Sequence, residues 1–142
     1  MSLPQQKNRE LVFEILYSYQ FHEGDSEDLC RLLMREHKVS KKNALNAVVK
    51  ANLVAQEIKT IDALIQKVSH SYDLKRIHGI EKAILRLALF ELFIEKKNPP
   101  EIVIAEAKRL ARKFTSDDAQ GFVHALIDAL IKTEMEDGKL VK

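Results

Sequence analysis

IEKAILRLALFELFIEKKNPPEIVIAEAKRLARKFTSDDAQGFVHALID, residues 80–128, decides the fold. Between Ala83 and Ile94 only Arg86 and Glu91 are charged, so a helix there has little solvated face and belongs at the centre of a helical protein. Pro99 and Pro100 then stop the chain. Glu101 enters a second helix, where Val103, Ala107, Leu110, Ala111 and Phe114 recur at i, i+4, i+7, i+8 and i+11 as one apolar stripe. Thr115, Ser116, Asp117 and Asp118 offer capping oxygens to a third helix. A buried helix followed by a charged amphipathic pair is a scaffold without chemistry of its own.

Outward from this run the chain reads as helix almost throughout. It has four glycines, three prolines and no alternating β-branched run, which leaves strands nowhere to form. The spacing predicts a first helix from Pro4 to Phe21 with Val12, Ile15, Leu16 and Tyr19 on one face. His22, Glu23, Gly24 and Asp25 break it, and Ser26 caps a short second helix through Leu29, Leu32, Leu33 and Met34. A third segment starts at Ser40 with Leu45, Val48, Val49, Leu53 and Ile58 inward. Thr60 or Asp62 interrupts it before Leu64, Ile65 and Val68 continue the stripe. Ser69 to Gly79 is a polar connection holding Asp73, Lys75 and Arg76. Periodicity ends at Glu134. The expectation is an all-α compact bundle of six or seven helices over residues 1–134, arranged as two small bundles meeting near the polar connection, with residues 135–142 a frayed tail.

Composition agrees. A chain of 142 residues is one domain by default and long enough to bury roughly two-thirds of its unfolded surface. With 46% apolar and 31% charged residues it is an ordinary folded chain, and a net charge of +2 does not by itself mark a nucleic-acid binder. Cys30 is the single cysteine, which excludes an internal disulfide and any CxxC site. Neither a signal peptide nor an uninterrupted twenty-residue apolar span stands out, and a reduced, cytoplasmic location is the simplest expectation.

Catalysis is not expected. His22, His37, His70, His78 and His124 are scattered without recognised ligand spacing, and surface positions explain them better than a metal. Cys30 lies in a leucine-rich helix without an adjacent base, as a structural thiol does. Asp117 and Asp118 form a carboxylate pair, but a helix start explains acids there. The isolated glycines build no phosphate loop.

Local charge is more informative than total charge. From Lys96 to Lys113 six basic residues (Lys96, Lys97, Lys108, Arg109, Arg112, Lys113) face two acidic ones (Glu101, Glu106). The excess of four is twice that of the whole chain. Lys108, Arg109, Arg112 and Lys113 fall opposite or beside the apolar stripe, where they can reach phosphates without leaving the core. A plain solvated face is the alternative. Lys75, Arg76, His78 and Lys82 make a looser cluster with the same alternative. Phe13, Tyr17 and Gln20 form a second strip on the first helix, with Arg9 one turn earlier. That strip either packs against another helix or presents charge, ring and amide to a single strand. Phe122, one turn after Asp118, is either a core anchor or a ring on which a base stacks.

The order of these pieces resembles a known family. EKAILRLALFEL, VIAEAKRLARKF, an acidic cap and FVHALID follow one another as in the C-terminal half of the NusB antitermination proteins. RELVFEILYSYQ near the start resembles that family's opening helix. The resemblance spans most of the chain, although residues 23–79 share only helical pattern and length. It implies a non-enzymatic factor without cofactor, metal, small-molecule substrate or membrane attachment. Its partners would be the single-stranded boxA element of ribosomal RNA leaders and NusE, a small-subunit ribosomal protein. Together they act in the RNA polymerase antitermination complex to promote read-through in ribosomal RNA operons. Matching positions place Lys7, Arg9, Gln20, Lys113, Asp118 and Phe122 on the RNA side, with Lys108, Arg109 and Arg112 added by the basic helix. The same matching places Tyr17 and Glu81 on the NusE side. Glu81 precedes the apolar stretch, where a carboxylate stays available to a cationic partner.

Two departures qualify what the resemblance implies. Residues 1–22 hold Lys7 and Arg9 against Glu10 and Glu14, whereas the family's openings are often arginine-rich. The family's Asn-Gly after Phe-Val is here His124-Ala125. Two further readings stand beside the main one. NusB-like domains also precede the catalytic region of certain ribosomal RNA cytosine methyltransferases, and a chain continuing past Lys142 into an α/β region would favour that reading. The neutral opening also fits a protein-interaction module that lacks RNA binding. The Phe13–Tyr17 strip serves NusE or a self-contact equally well, which leaves the oligomeric state open.

Overall fold

The computed structural model describes residues 3–21, 25–68, 77 and 79–136. Among them the chain forms α1 (Gln5–Tyr19), α2 (Ser26–His37), α3 (Lys41–Gln56), α4 (Ile58–Val68), α5 (Gly79–Leu89), a π-helical segment (Phe90–Glu95), α6 (Pro100–Phe114) and α7 (Asp117–Glu136). No strand occurs among the described residues, and the all-α reading holds. The contacts divide the chain into two compact units, Met1–Gln56 and Glu57–Lys142, with the boundary ahead of the polar connection. Most of that connection, with Asp73, Lys75, Arg76, His70 and His78, lies outside the described residues, as do His22 and residues 137–142. Helix α7 continues to Glu136, two residues beyond the expected end.

In the first unit, α3 packs against both α1 and α2. The α1 face of Val12, Ile15 and Leu16 is buried as its spacing predicts, and Leu11 and Phe13 are buried with it. Helix α2 starts one residue earlier than expected. Asp25, not Ser26, is its cap, its carboxylate accepting from the Glu27 amide at 3.3 Å. The inward face of α3 is the main correction. Ala44, Ala47, Val48, Ala51 and Val54 are buried, while Leu45, Val49 and Leu53 are 47%, 51% and 47% exposed. A helix wedged between two others favours alanines, because small side chains let backbones approach closely. The break before α4 falls at Glu57 rather than at Thr60 or Asp62. Polar links fasten the unit: the Tyr19 hydroxyl donates to Asn52 Oδ1 at 2.6 Å between α1 and α3.

Burial pushes the Tyr19 phenol above its ordinary value. A raised pKa means the folded state holds this proton more tightly than the unfolded chain. Its contribution is therefore complete below about pH 10 and is lost as pH rises above it. Tyr19→Phe removes the donor and leaves Asn52 Oδ1 short of a partner. Urea unfolding at pH 7 should show a loss of about 1 kcal/mol, and the gap between variant and parent should narrow at alkaline pH.

In the second unit, α5 contacts α4, α6 and α7 and holds the central place its composition predicts. Ala83, Ile84, Leu85, Leu87, Ala88 and Leu89 are at most 3% exposed. Both charges of that run are accommodated. Arg86 grips Asp62 of α4 in a fork, Nε to Oδ1 at 3.0 Å and a terminal nitrogen to Oδ2 at 2.9 Å. Glu91 is buried and accepts from Asn98 Nδ2 at 3.4 Å. The helix widens at Phe90–Glu95, where the Lys96 amide reaches back to the Glu91 carbonyl at 3.0 Å, five residues away. Lys96 closes it in the left-handed region at φ 55°. Pro100 opens α6, its missing donor harmless in a first turn. Val103, Ala107, Leu110 and Ala111 are buried as predicted, and Phe114 is half-buried. Lys67 of α4 donates to the buried Glu134 of α7 at 2.8 Å.

Candidate nucleic-acid interface

The C-terminal end of α6 and the start of α7 form one corner of the second unit. Thr115 ends α6 by donating to the Ala111 carbonyl at 2.9 Å, and Ser116 Oγ then accepts from the Ala119 amide at 3.3 Å to cap α7. Of the four expected capping residues, Ser116 carries out that task. Asp117 and Asp118 stand exposed in the first turn of α7, where the helix dipole favours negative charge. Arg112 and Lys113 stand exposed in the last turn of α6, where it favours positive charge. Arg112 Nε reaches Gln120 Oε1 at 3.5 Å across the corner, and Lys113 Nζ lies 5.7 Å from the centre of the Phe114 ring. Phe122 is half-buried one turn into α7. Two cations, two exposed carboxylates and a partly open ring therefore lie along the short run of chain from Arg112 to Phe122.

Not every basic residue counted in the sequence belongs there. Arg109 is committed to Glu106, with Nε to Oε2 at 3.1 Å, and Lys108 is half-buried. Lys96 and Lys97 precede α6, whereas Arg112 and Lys113 close it. A helix of 15 residues spans roughly 22 Å. The Lys96–Lys113 excess is thus two separate groups of charge. Glu81 sits half-buried in the first turn of α5.

The remaining candidates lie in the first unit. Arg9 is buried at 4% exposure and already engaged, so the charge expected on the α1 strip is withdrawn from solvent. Phe13 is buried too, and its ring stacks on Tyr17 at 6.4 Å. Tyr17 in turn meets Phe21 edge-on at 5.1 Å, and Phe21 is 68% exposed. Phe21 was readable from its spacing, since it extends the i, i+4 row of Phe13 and Tyr17. Gln20 caps α1 and is half-buried.

Lys7 Nζ donates to His37 Nδ1 at 2.9 Å, and His37 Nε2 meets Glu14 Oε2 at 2.7 Å. The ring thus bridges the Lys7 ammonium at Nδ1 and the Glu14 carboxylate at Nε2. Potential ligand atoms of Glu14, Glu36 and His37 lie within 4.8 Å of one another. Both ring nitrogens of His37 already have partners there, Lys7 on one side and Glu14 on the other. No helix among the described residues is long and apolar enough to cross a membrane.

The NusB family model matches residues 6–132. The transcription antitermination protein NusB of a Nitratiruptor species is 34% identical over 130 residues, covering 92% of each chain. That of Chlamydia pneumoniae is 32% identical over 125 residues, covering 88% of this chain and 78% of its own. Among solved structures, T. maritima NusB superposes with a TM-score of 0.76 at 27% identity and 93% coverage of both chains. A structure described as antitermination factors NusB and NusE in complex with dsRNA superposes at 0.78 with 24% identity, covering 91% of this chain and 96% of that one.

Proposed function

The chain belongs to the NusB family, and from that premise we propose that it is a non-enzymatic, cytoplasmic antitermination factor. It binds the single-stranded boxA element of ribosomal RNA leaders jointly with NusE and acts in the RNA polymerase antitermination complex. The α6–α7 corner carries the RNA side. Arg112 and Lys113 neutralise phosphates, the Phe122 ring stacks on a base, and the Asp118 carboxylate accepts from a base amino group or a 2′-hydroxyl. Lys7 and Gln20 of the first unit add polar contacts and Lys108 adds to the background field, whereas the Arg109 charge is offset by Glu106. Tyr17, with the exposed Phe21 beside it, and Glu81 serve NusE. The exposed Arg112 and Lys113 at the end of α6, with Asp118 and Phe122 in the first turns of α7, carry this reading. The likeness to a NusB structure solved with NusE and double-stranded RNA supports it further.

The test titrates boxA RNA and a scrambled RNA of equal length against the protein, with and without purified NusE. Tight, boxA-selective binding that requires NusE is expected. Equal affinity for both RNAs in the presence of NusE overturns the proposal. Phe122→Ala should weaken boxA binding by about 1–3 kcal/mol if the ring stacks. An unchanged RNA affinity with a markedly lower melting temperature assigns Phe122 to packing instead.

A further inference from the structure

The apolar row Leu45, Val49 and Leu53 on α3 belongs to neither the core nor the proposed RNA surface. Its members are spaced i, i+4, i+8 and are each about half exposed, on the side of α3 away from Ala44, Ala47, Ala51 and Val54. Single exposed leucines are ordinary, whereas a continuous apolar row on one helix face calls for a partner. The row runs into a cleft of about 440 Å³ between α2 and α3, lined by Glu27, Cys30, Arg31, Met34, Lys41 and Leu45.

Charge identifies what fits. Helix α3 contains Lys41, Lys42 and Lys50 and no acidic residue. Arg31, Arg35, Lys38, Lys41 and Lys42 are all exposed on α2, on α3 and in the turn between them, and Arg31 and Lys41 line the cleft with Leu45. The acids of this segment are Asp25, which caps α2, Glu27 and Asp28, both paired to Arg31 at 3.3–3.4 Å, and Glu36 beside His37. A second copy docked through this face would set lysines against lysines, which disfavours self-association here. RNA is disfavoured as well, because neither α2 nor α3 contains Phe, Tyr or Trp on which a base stacks. An apolar row with cationic flanks is complementary to a helix with an apolar stripe and acidic flanks.

We propose that the α2–α3 face docks an acidic amphipathic helix of a partner protein, the partner's apolar stripe seating on Leu45, Val49 and Leu53 while its carboxylates meet Lys41 and Lys42. This inference is independent of the RNA reading, so a failure of boxA binding leaves it standing.

The probe is a synthetic amphipathic peptide with leucines at i, i+4 and i+7 and glutamates on both flanks. Two control peptides carry lysines in place of the glutamates, or the same residues scrambled. Backbone amide shifts locate the site and fluorescence anisotropy measures affinity. Saturable binding of the acidic peptide alone is expected, with shifts centred on α2 and α3 and an affinity that falls as salt rises. Val49→Glu with Leu53→Glu should weaken it at least tenfold, and Lys41→Gln with Lys42→Gln several-fold with a flatter salt dependence. The second pair sits at exposed lysines, so it decides the matter even if the first pair unfolds. Any of the following overturns the proposal: no saturation at millimolar peptide, equal binding of the basic or scrambled peptide, or shifts centred elsewhere. An oligonucleotide that displaces the peptide from these amides, or self-association abolished by the same substitutions, overturns it too.

Discussion

Replacing Asp62 by alanine will lower the stability of the protein by about 3 kcal/mol, through what it does to Arg86 rather than through any packing of its own. The Arg86 and Asp62 side chains are only 13% and 18% exposed, and two parallel hydrogen bonds join them. Removing the carboxylate leaves a guanidinium in the most apolar helix of the chain, where desolvation is no longer offset. Losses of about 3–5 kcal/mol follow when one member of a buried pair is removed, and the residual exposure here argues for the lower end. For a protein of this size the melting temperature should fall by roughly 10 °C. Asp62→Leu combined with Arg86→Met removes both charges and should recover most of the loss, since apolar replacement of such pairs is often neutral. Thermal melts followed by circular dichroism decide it. A single-variant loss under about 1 kcal/mol would mean that the pair behaves as a solvated surface bridge.

That pair also marks how far the sequence is legible. Arg86 and Glu91 within an apolar run identified α5 as central, because two charges cannot give a helix a solvated face. Their partners were not readable: Asp62 lies 24 residues away on another helix, and its proximity is a property of the packing. Helix α3 shows the opposite failure. Hydrophobicity ranks Leu45, Val49 and Leu53 above Ala44, Ala47 and Ala51, but the helix between two neighbours buries the smaller set. An apolar row signals burial against something, which need not be the same chain.

The proposed interface was legible in part for a similar reason. Counting charge from Lys96 to Lys113 joined residues that a helix holds apart, and no count shows that Glu106 has taken Arg109. Arg9 reads as a surface cation from composition, yet it is buried. The corner between α6 and α7 was legible as a place in the chain. Basic residues closing one helix, a short cap and acidic residues opening the next fix their own proximity, because few residues separate them.

Salt dependence gives the sharpest measure of that corner. Each phosphate contact on a single strand contributes a log–log slope of about −0.7, so three or four contacts give roughly −2 to −3 for boxA binding in the presence of NusE. Arg112→Gln with Lys113→Gln removes two of them and should flatten the slope by about 1.4. At about 0.1 M salt the same two terms correspond to a loss of affinity of roughly 25-fold. Neither side chain is buried, so the fold should be unaffected. Lys96→Gln with Lys97→Gln alters the net charge identically from the other end of α6. The distance is about twice the roughly 10 Å over which salt screens charge at that concentration, so slope and affinity should stay near those of the parent. Arg109→Gln separates field from contact, since its guanidinium is occupied by Glu106. Equal flattening per charge removed by all three changes would mean that the RNA responds to overall charge, and the α6–α7 corner would lose its claim to be the contact surface.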